Sequence, residues 1–331
     1  MNDSEARNST GVIVGVDIGG TKIAAAAVDA EGRLAGLAAV PTAAERGPAD
    51  GLRRLAALIE SAAGAAHESL LGIGIGCTGP LDTERGIVRN PYTLPTWDGM
   101  ELAAPLSARF GVPVALLNDC DAAALGEAWI GAGRGFARIA YVTIGTGIGA
   151  GIVIGGRLLE APGGLAGEIG HATIDLRGPP CYCGSTGCLE QFAAGPVIER
   201  AVRAAGGPGW SALQEFAGAG RPVTAAVIVE AARAGVASAR AELERAAWAL
   251  GVGLANLALT IAPERIIVGG GLSGAWDILG PIVTETFAKR TQLIAQIGAQ
   301  ILLSALPNAA VVGAAHYVWD SMASNKMIGD R

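Results

Sequence analysis

Short apolar runs alternate with glycine-rich breaks along the chain, and that pattern predicts its elements. Val12–Val16 reads as a strand running into Asp17-Ile-Gly-Gly-Thr-Lys22. Ile23–Val28 resumes as a second strand, and Glu31-Gly32 supplies a turn into a third, Leu34–Val40. Leu52, Leu55, Leu58 and Ile59 then repeat at helical spacing, with Arg53, Arg54 and Glu60 off that face. Leu71–Gly76 is a glycine-interrupted strand. Val112–Leu117 is another, ending at Asn118-Asp119, and a helix is expected from about Asp121, its N-cap, to Trp129.

The same order recurs further on. Arg138–Ile144 reads as a strand ending in Gly145-Thr-Gly-Ile-Gly149. Ala150–Ile154 follows, with a hairpin turn at Gly155-Gly156 into Arg157–Glu160. After a long insertion, about 161–240, come a helix over Ala241–Ile261, a strand Arg265–Val268 leading to Gly269-Gly-Gly271, a strand Ile301–Leu303 and a last helix, about Ala309–Met322. The pattern predicts an internal duplication of one α/β unit. Each copy opens with a strand, a glycine turn and a strand, and the two halves are expected to pack around a cleft.

Composition narrows the function classes. With 331 residues, 51% hydrophobic and 16% charged, the chain can bury a large core in about two domains. Its net charge of −6 and scattered arginines remove the attraction on which nucleic-acid binding rests, so no nucleic-acid partner is expected. The longest charge-free apolar run, Ala246–Pro263, contains Asn256 and falls short of the ~20 residues of a membrane span, so it reads as a buried helix. The polar opening MNDSEARNST is not a signal peptide. A cytoplasmic location is expected, where a structural disulfide is disfavoured.

The candidate chemistry lies in the breaks between these runs. Gly19 and Gly20 let backbone N–H groups approach a phosphate, to which Thr21 and Lys22 add a hydroxyl and a charge; a plain hairpin turn is the alternative. The spacing is not that of a Walker A loop. Gly145, Thr146 and Gly147 occupy the matching place in the second half, so the pair suits a polyphosphate. Asn118-Asp119 ends a strand, where open α/β sheets place ligands; the pair reads as a base with its hydrogen-bonding neighbour, or as a helix cap. Gly269, Gly270 and Gly271 offer a flat surface for a base or ribose, or simply a tight strand–helix turn.

Glu168-Ile-Gly-His171 is followed by Cys181, Cys183 and Cys188. One imidazole and three thiolates suit tetrahedral zinc, and four protein ligands would close its shell, which is a structural rather than catalytic arrangement. The H-x9-C-x-C-x4-C spacing is not that of a common zinc finger, and three unrelated thiols are the alternative. Cys77 and Cys120 read as buried reduced thiols. His67 and His316 sit in helical stretches.

From about Val12 to Asp320 these residues resemble the ROK family of repressors, open reading frames and kinases, specifically its bacterial glucokinase-like sugar kinases. The most specific part is Glu168-Ile-Gly-His171 with Cys181-Tyr-Cys-Gly-Ser-Thr-Gly-Cys188-Leu-Glu190. The resemblance implies an α/β, two-domain actin-like (ribonuclease H-like) ATPase fold with a cleft between the domains. Residues 1–118 plus 307–331 would form the smaller domain, and 119–306 the larger one carrying the zinc segment. It implies Asp119 as catalytic base and Asn118, Glu168, His171 and Glu190 as sugar contacts. His171, Cys181, Cys183 and Cys188 would hold one structural Zn²⁺. Asp17, Gly19, Gly20, Thr21, Lys22, Gly145, Thr146 and Gly147 would serve ATP phosphates and Mg²⁺, and Gly269 and Gly270 the adenosine. The implied reaction is ATP-dependent phosphorylation of a hexose at its 6-hydroxyl, glucose first, by a homodimer or homotetramer. N-acetylmannosamine or N-acetylglucosamine kinase, and a non-catalytic sugar sensor, are the alternatives. With about a dozen residues before the first strand, the kinase branch is expected over the repressor branch. Cys77-Thr-Gly-Pro80 departs from the family's usual Pro-Gly-Pro near the sugar, and Asn90–Trp97 looks like its loop at the cleft mouth.

Overall fold

The computed structural model describes residues 11–64, 69–292 and 298–324; His67 lies outside them. Strand β1 (Val12–Ile18) pairs antiparallel with β2 (Lys22–Val28), and β2 with β3 (Leu34–Pro41). Helix α1 (Pro48–Ala63) follows, with proline in its first turn. Its Leu55, Leu58 and Ile59 are buried while Arg53 and Glu60 face solvent, as the spacing predicts; Arg54, expected on that outer face, is half-buried, its guanidinium donating to Asp50 and to the Thr42 carbonyl. Strand β4 (Leu70–Cys77) then runs parallel to β1. After β5 (Leu81–Asp82), β6 (Ile87–Val88) and α2 (Ala103–Phe110), β7 (Val114–Asn118) runs parallel to β4. The sheet order is β3-β2-β1-β4-β7. Register fixes what lies at its end: Ile18 pairs with Cys77, and Cys77 with Asn118. Three parallel strands thus finish side by side, just where α3 (Asp119–Trp129) starts.

The second sheet repeats this order. Its strands β8 (Arg138–Ile144), β9 (Ile148–Ile154), β10 (Arg157–Leu158), β11 (Arg265–Gly269) and β12 (Gln300–Leu303) lie as β10-β9-β8-β11-β12. The helices between them are α4 (Glu190–Ala193), α5 (Gly195–Ala205), α6 (Gly207–Ala217), α7 (Ala225–Arg233), α8 (Ala237–Ile261) and α9 (Trp276–Thr291), and α10 (Ala309–Ala323) closes the chain. Strand β10 is shorter than the run to Glu160 suggests, and α8 begins four residues before Ala241. Helices α5–α7 occupy the stretch expected as an insertion, and α9 holds Pro281 inside it, a residue that breaks the helical pattern in sequence. Among the described residues no helix is long and apolar enough to cross a membrane.

Contacts divide the chain into two compact units. One is Met1–Tyr141 with Gly151–Ala166 and Ser304–Arg331; the other is Val142–Ala150 with Gly167–Leu303. The boundary differs from the one expected at 118/119, because α3 stays with the first unit. The reason is backbone-on-backbone packing with α10. A Cβ at Gly313 would lie 1.7 Å from the Ala122 carbonyl oxygen, and one at Gly126 would lie 2.3 Å from that of Ala309. Only glycine permits that approach, and it fixes the helix that begins with Asp119. The core of this unit gathers Val14, Val16, Ile18, Ile23, Ile59, Ile73 and Ile75 under α1. Each such side chain contributes roughly 1.5–3 kcal/mol on burial.

Candidate active site and metal centre

At the strand ends of the first unit, Asn118 is the N-cap of α3. Its Oδ1 accepts the Cys120 N–H at 2.8 Å, and Asp119 Oδ1 accepts the same N–H at 2.9 Å. The cap therefore stands three residues before Asp121, which is buried within the first turn. Burial pushes the Asp17 carboxyl up to about 7, with the charge of Asp119 adding to the rise and Lys22 opposing it. Burial likewise pushes Asp119 up, against hydrogen bonds from Cys120. A buried carboxylate whose proton affinity is raised further by a neighbouring carboxylate also suits a bound cation.

The loop after β4 holds Asn118 from the other side. A Cβ at Gly79 would come within 2.9 Å of Asn118 Nδ2. Cys77 is buried and its thiol is pushed well up by burial, then by Asp119 and Asp17. The fully buried Asn90 ties this loop down: its Nδ2 donates to the Thr78 carbonyl at 3.2 Å, and its Oδ1 accepts the Tyr92 and Thr93 N–H groups at 3.2 and 2.8 Å. Sequence reading placed Asn90 in the loop without a role; an Asn two and three residues before backbone donors is the signal.

The β1–β2 turn closes through Gly19 N–H to the Lys22 carbonyl at 2.9 Å, and Thr42 Oγ1 donates to the Gly19 carbonyl at 2.6 Å. Gly20, Thr21 and Lys22 are exposed. In the second unit, Gly145 N–H donates to Gly147 carbonyl at 3.0 Å, and Thr146 is exposed at the tip. Gly270, at φ +87°, would bring a Cβ within 2.5 Å of the Ile144 carbonyl, so glycine is required there. Gly145 and Gly271 are neighbours, the Cβ position of the first being 3.7 Å from the nitrogen of the second. The structure thus brings the Gly145–Gly147 turn and the Gly269–Gly271 segment together.

The same unit places the carboxylates and thiols beside that turn. Glu190, the first residue of α4, is buried, and its Oε2 accepts the Ile148 N–H at 2.9 Å. The Glu168–His171 turn lies against β9, where a Cβ at Gly170 would be 2.0 Å from the Ile148 carbonyl. Glu168 itself is exposed. One donor atom each from His171, Cys181, Cys183 and Cys188 lies within 4.8 Å of the others. Cys183 and Cys188 sulfurs are 3.6 Å apart, and Cys181 Sγ is 3.6 Å from His171 Nδ1. A tetrahedron with metal–sulfur bonds of about 2.3 Å has edges of about 3.8 Å, so the donors fit a four-coordinate ion. The Ser185 backbone N–H holds the Cys183 thiol below its usual range, toward the thiolate a metal needs. Gly184 and Gly187 adopt positive φ, at +89° and +69°, and turn the chain about the cluster. Tyr182, which sequence reading passed over, sets its hydroxyl 3.3 Å from His171 Nε2, with the rings edge to face at 5.1 Å.

Two sheets of one order, each opening on a glycine turn, with carboxylates at the strand ends, define the actin-like, ribonuclease H-like class of two-domain phosphotransferase folds. Within that class the sequence is specific: the ROK family pattern matches residues 13–321, and the chain belongs to the ROK family. It is 38% identical to a glucokinase of Thermotoga maritima, covering 82% of this chain and 85% of that one. It is 40% identical to a glucokinase of Streptomyces coelicolor, covering 82% and 86%. Among solved structures it is similar to a ROK family glucokinase from Streptomyces griseus in complex with glucose and AMPPNP, at 34% identity and a TM-score of 0.77 over 93% of this chain and 99% of that one.

Proposed function

We propose that this protein transfers the γ-phosphoryl group of ATP to the 6-hydroxyl of a hexose, making glucose 6-phosphate from glucose. The observation that carries it is Asp119 at the joined strand ends, with its carboxyl raised by burial, in a chain closely similar to glucokinases. A carboxylate so raised is a stronger base toward the attacking hydroxyl. Asp119 accepts that proton as the oxygen meets the γ-phosphate. Asn118 spends its Oδ1 on the helix cap, which leaves Nδ2 for a sugar hydroxyl. Glu168, His171 and Glu190 bind the remaining hydroxyls. Each unpaired hydroxyl in such a site costs roughly 1–3 kcal/mol, which is how sugars differing at one position are separated.

The glycine turns at Gly19–Lys22 and Gly145–Gly147 cradle phosphates through backbone N–H groups, and Gly269–Gly270 borders the adenosine. Asp17 and Lys22 flank the phosphate charge. Mg²⁺ on the nucleotide supplies charge neutralisation, and Asp17 is the residue that would hold it. Zn²⁺ would be held by His171, Cys181, Cys183 and Cys188 and supplies geometry, fixing Glu168 and Glu190 on either side of the cluster. The reading extends to a cytoplasmic homodimer or homotetramer, which light scattering on the purified protein checks. Its test is a panel of hexoses with ATP, read by coupled ADP release. Turnover of glucose supports it. Turnover of N-acetylated hexosamines alone would move the substrate to that class, and tight sugar binding without ADP release would make the protein a sensor.

A further inference from the structure

One side chain beside the metal donors satisfies groups that the proposed reaction needs elsewhere. His171 turns Nδ1 toward Cys181, so its other ring nitrogen, Nε2, carries the ring proton when Nδ1 binds metal. That nitrogen is 3.3 Å from the Tyr182 hydroxyl, and the same phenol hydrogen-bonds the Glu190 side chain. With Nδ1 on a metal, that one hydroxyl accepts from the imidazole N–H and donates to a carboxylate, the pattern a sugar hydroxyl offers to the same two groups. Glu190 is held from behind by the Ile148 N–H, so it keeps its place when its partner changes. Tyr182 is different: it is 54% exposed, with Gly184 at positive φ two residues on, so its ring can turn away without opening the core.

We propose that Tyr182 is a built-in stand-in for a sugar hydroxyl, occupying His171 and Glu190 in the empty site and giving way when the hexose binds. It is a specificity-setting residue. A sugar must offer a hydroxyl in that place to displace the phenol, and one lacking it leaves the phenol bonded and gains nothing. This rests on His171 and Glu190 serving the sugar, as proposed above.

Tyr182→Phe keeps the ring and removes the competitor. The KM for glucose is expected to fall about three- to tenfold, the worth of one or two hydrogen bonds, with kcat unchanged. The glucose Kd measured by calorimetry without ATP should fall by the same factor. Tyr182→Leu, which also removes the ring, should show the same two changes, and it serves if the Phe variant folds poorly. A raised KM and Kd in these variants would make Tyr182 a direct sugar contact, and unchanged values would make it a bystander; either overturns the proposal. Absence of hexose turnover in the unaltered protein would instead refute the kinase reading, and the calorimetric comparison would still decide the role of Tyr182.

Discussion

Replacing Asp119 by Asn separates the chemistry of this residue from its structural duty. The capping contact survives: an amide oxygen can accept the Cys120 N–H that Oδ1 accepts at 2.9 Å, and Asn118 continues to cap α3 beside it. The loss of a negative charge in the first helical turn weakens the helix by about 0.3–1 kcal/mol. Against that, the buried charge that raises its neighbour Asp17 disappears, so the fold should be unharmed. What the amide cannot do is accept a proton. Loss of a positioned general base lowers turnover by roughly 10²–10⁴-fold. The expected result is therefore kcat reduced at least a hundredfold in coupled ADP release, with the calorimetric glucose Kd changed less than about threefold. Turnover within tenfold of the unaltered protein would refute Asp119 as base. An internal check is that Asp17 should titrate closer to the usual carboxylate range in the variant, since Asp119 no longer opposes its ionisation.

Further outcomes follow from the same geometry. Asp17 has its carboxyl raised from 3.8 to about 7, so between those values the folded state holds more protons than the unfolded one and stability falls as pH rises. Asp17→Asn should therefore stabilise the ligand-free protein at pH 7 by up to about 4 kcal/mol, show no gain below pH 3.8 in urea titrations, and lose activity; equal stability at pH 7 would refute the burial effect. Metal analysis should find about one zinc per chain, and Cys183→Ala should lose it and weaken glucose binding together. Sugar affinity unchanged on zinc loss would leave the cluster a fold staple only. Gly147→Ala would put a methyl group 2.7 Å from Glu190 Oε2, and KM for glucose should rise as the carboxylate shifts; an unchanged KM would detach Glu190 from the sugar. Gly313→Ala would drive Cβ to 1.7 Å from the Ala122 carbonyl oxygen and should lower the melting temperature by several degrees, an effect absent if α3 and α10 can separate freely.

The duplicated sheet was legible because each copy opens with apolar strands around a glycine turn, and β1, β2 and β8 read directly from their runs. The motif residues were legible for the same reason: loops at strand ends interrupt the apolar pattern with polar side chains. Helices α5–α7 carry Val197, Ile198 and Val202, then Trp210, Leu213 and Phe216, then Val227 and Ile228 at helical spacing, a signal that reading the stretch as one insertion passed over, and Pro281 hid α9. The boundary of the first unit was hidden because Gly126 and Gly313 look alike to any local rule, and only their meeting shows what they are for. Tyr182 and Asn90 were missed because their importance lies in partners distant along the chain or in backbone groups, which residue type alone does not reveal.

The most direct measurement is product identification. Purified protein incubated with ATP, Mg²⁺ and glucose should release one ADP per glucose consumed, and phosphorus NMR should place the new phosphate on the 6-oxygen. Tight glucose binding with no phosphorylated sugar, or phosphate appearing only on N-acetylated hexosamines, would contradict the account.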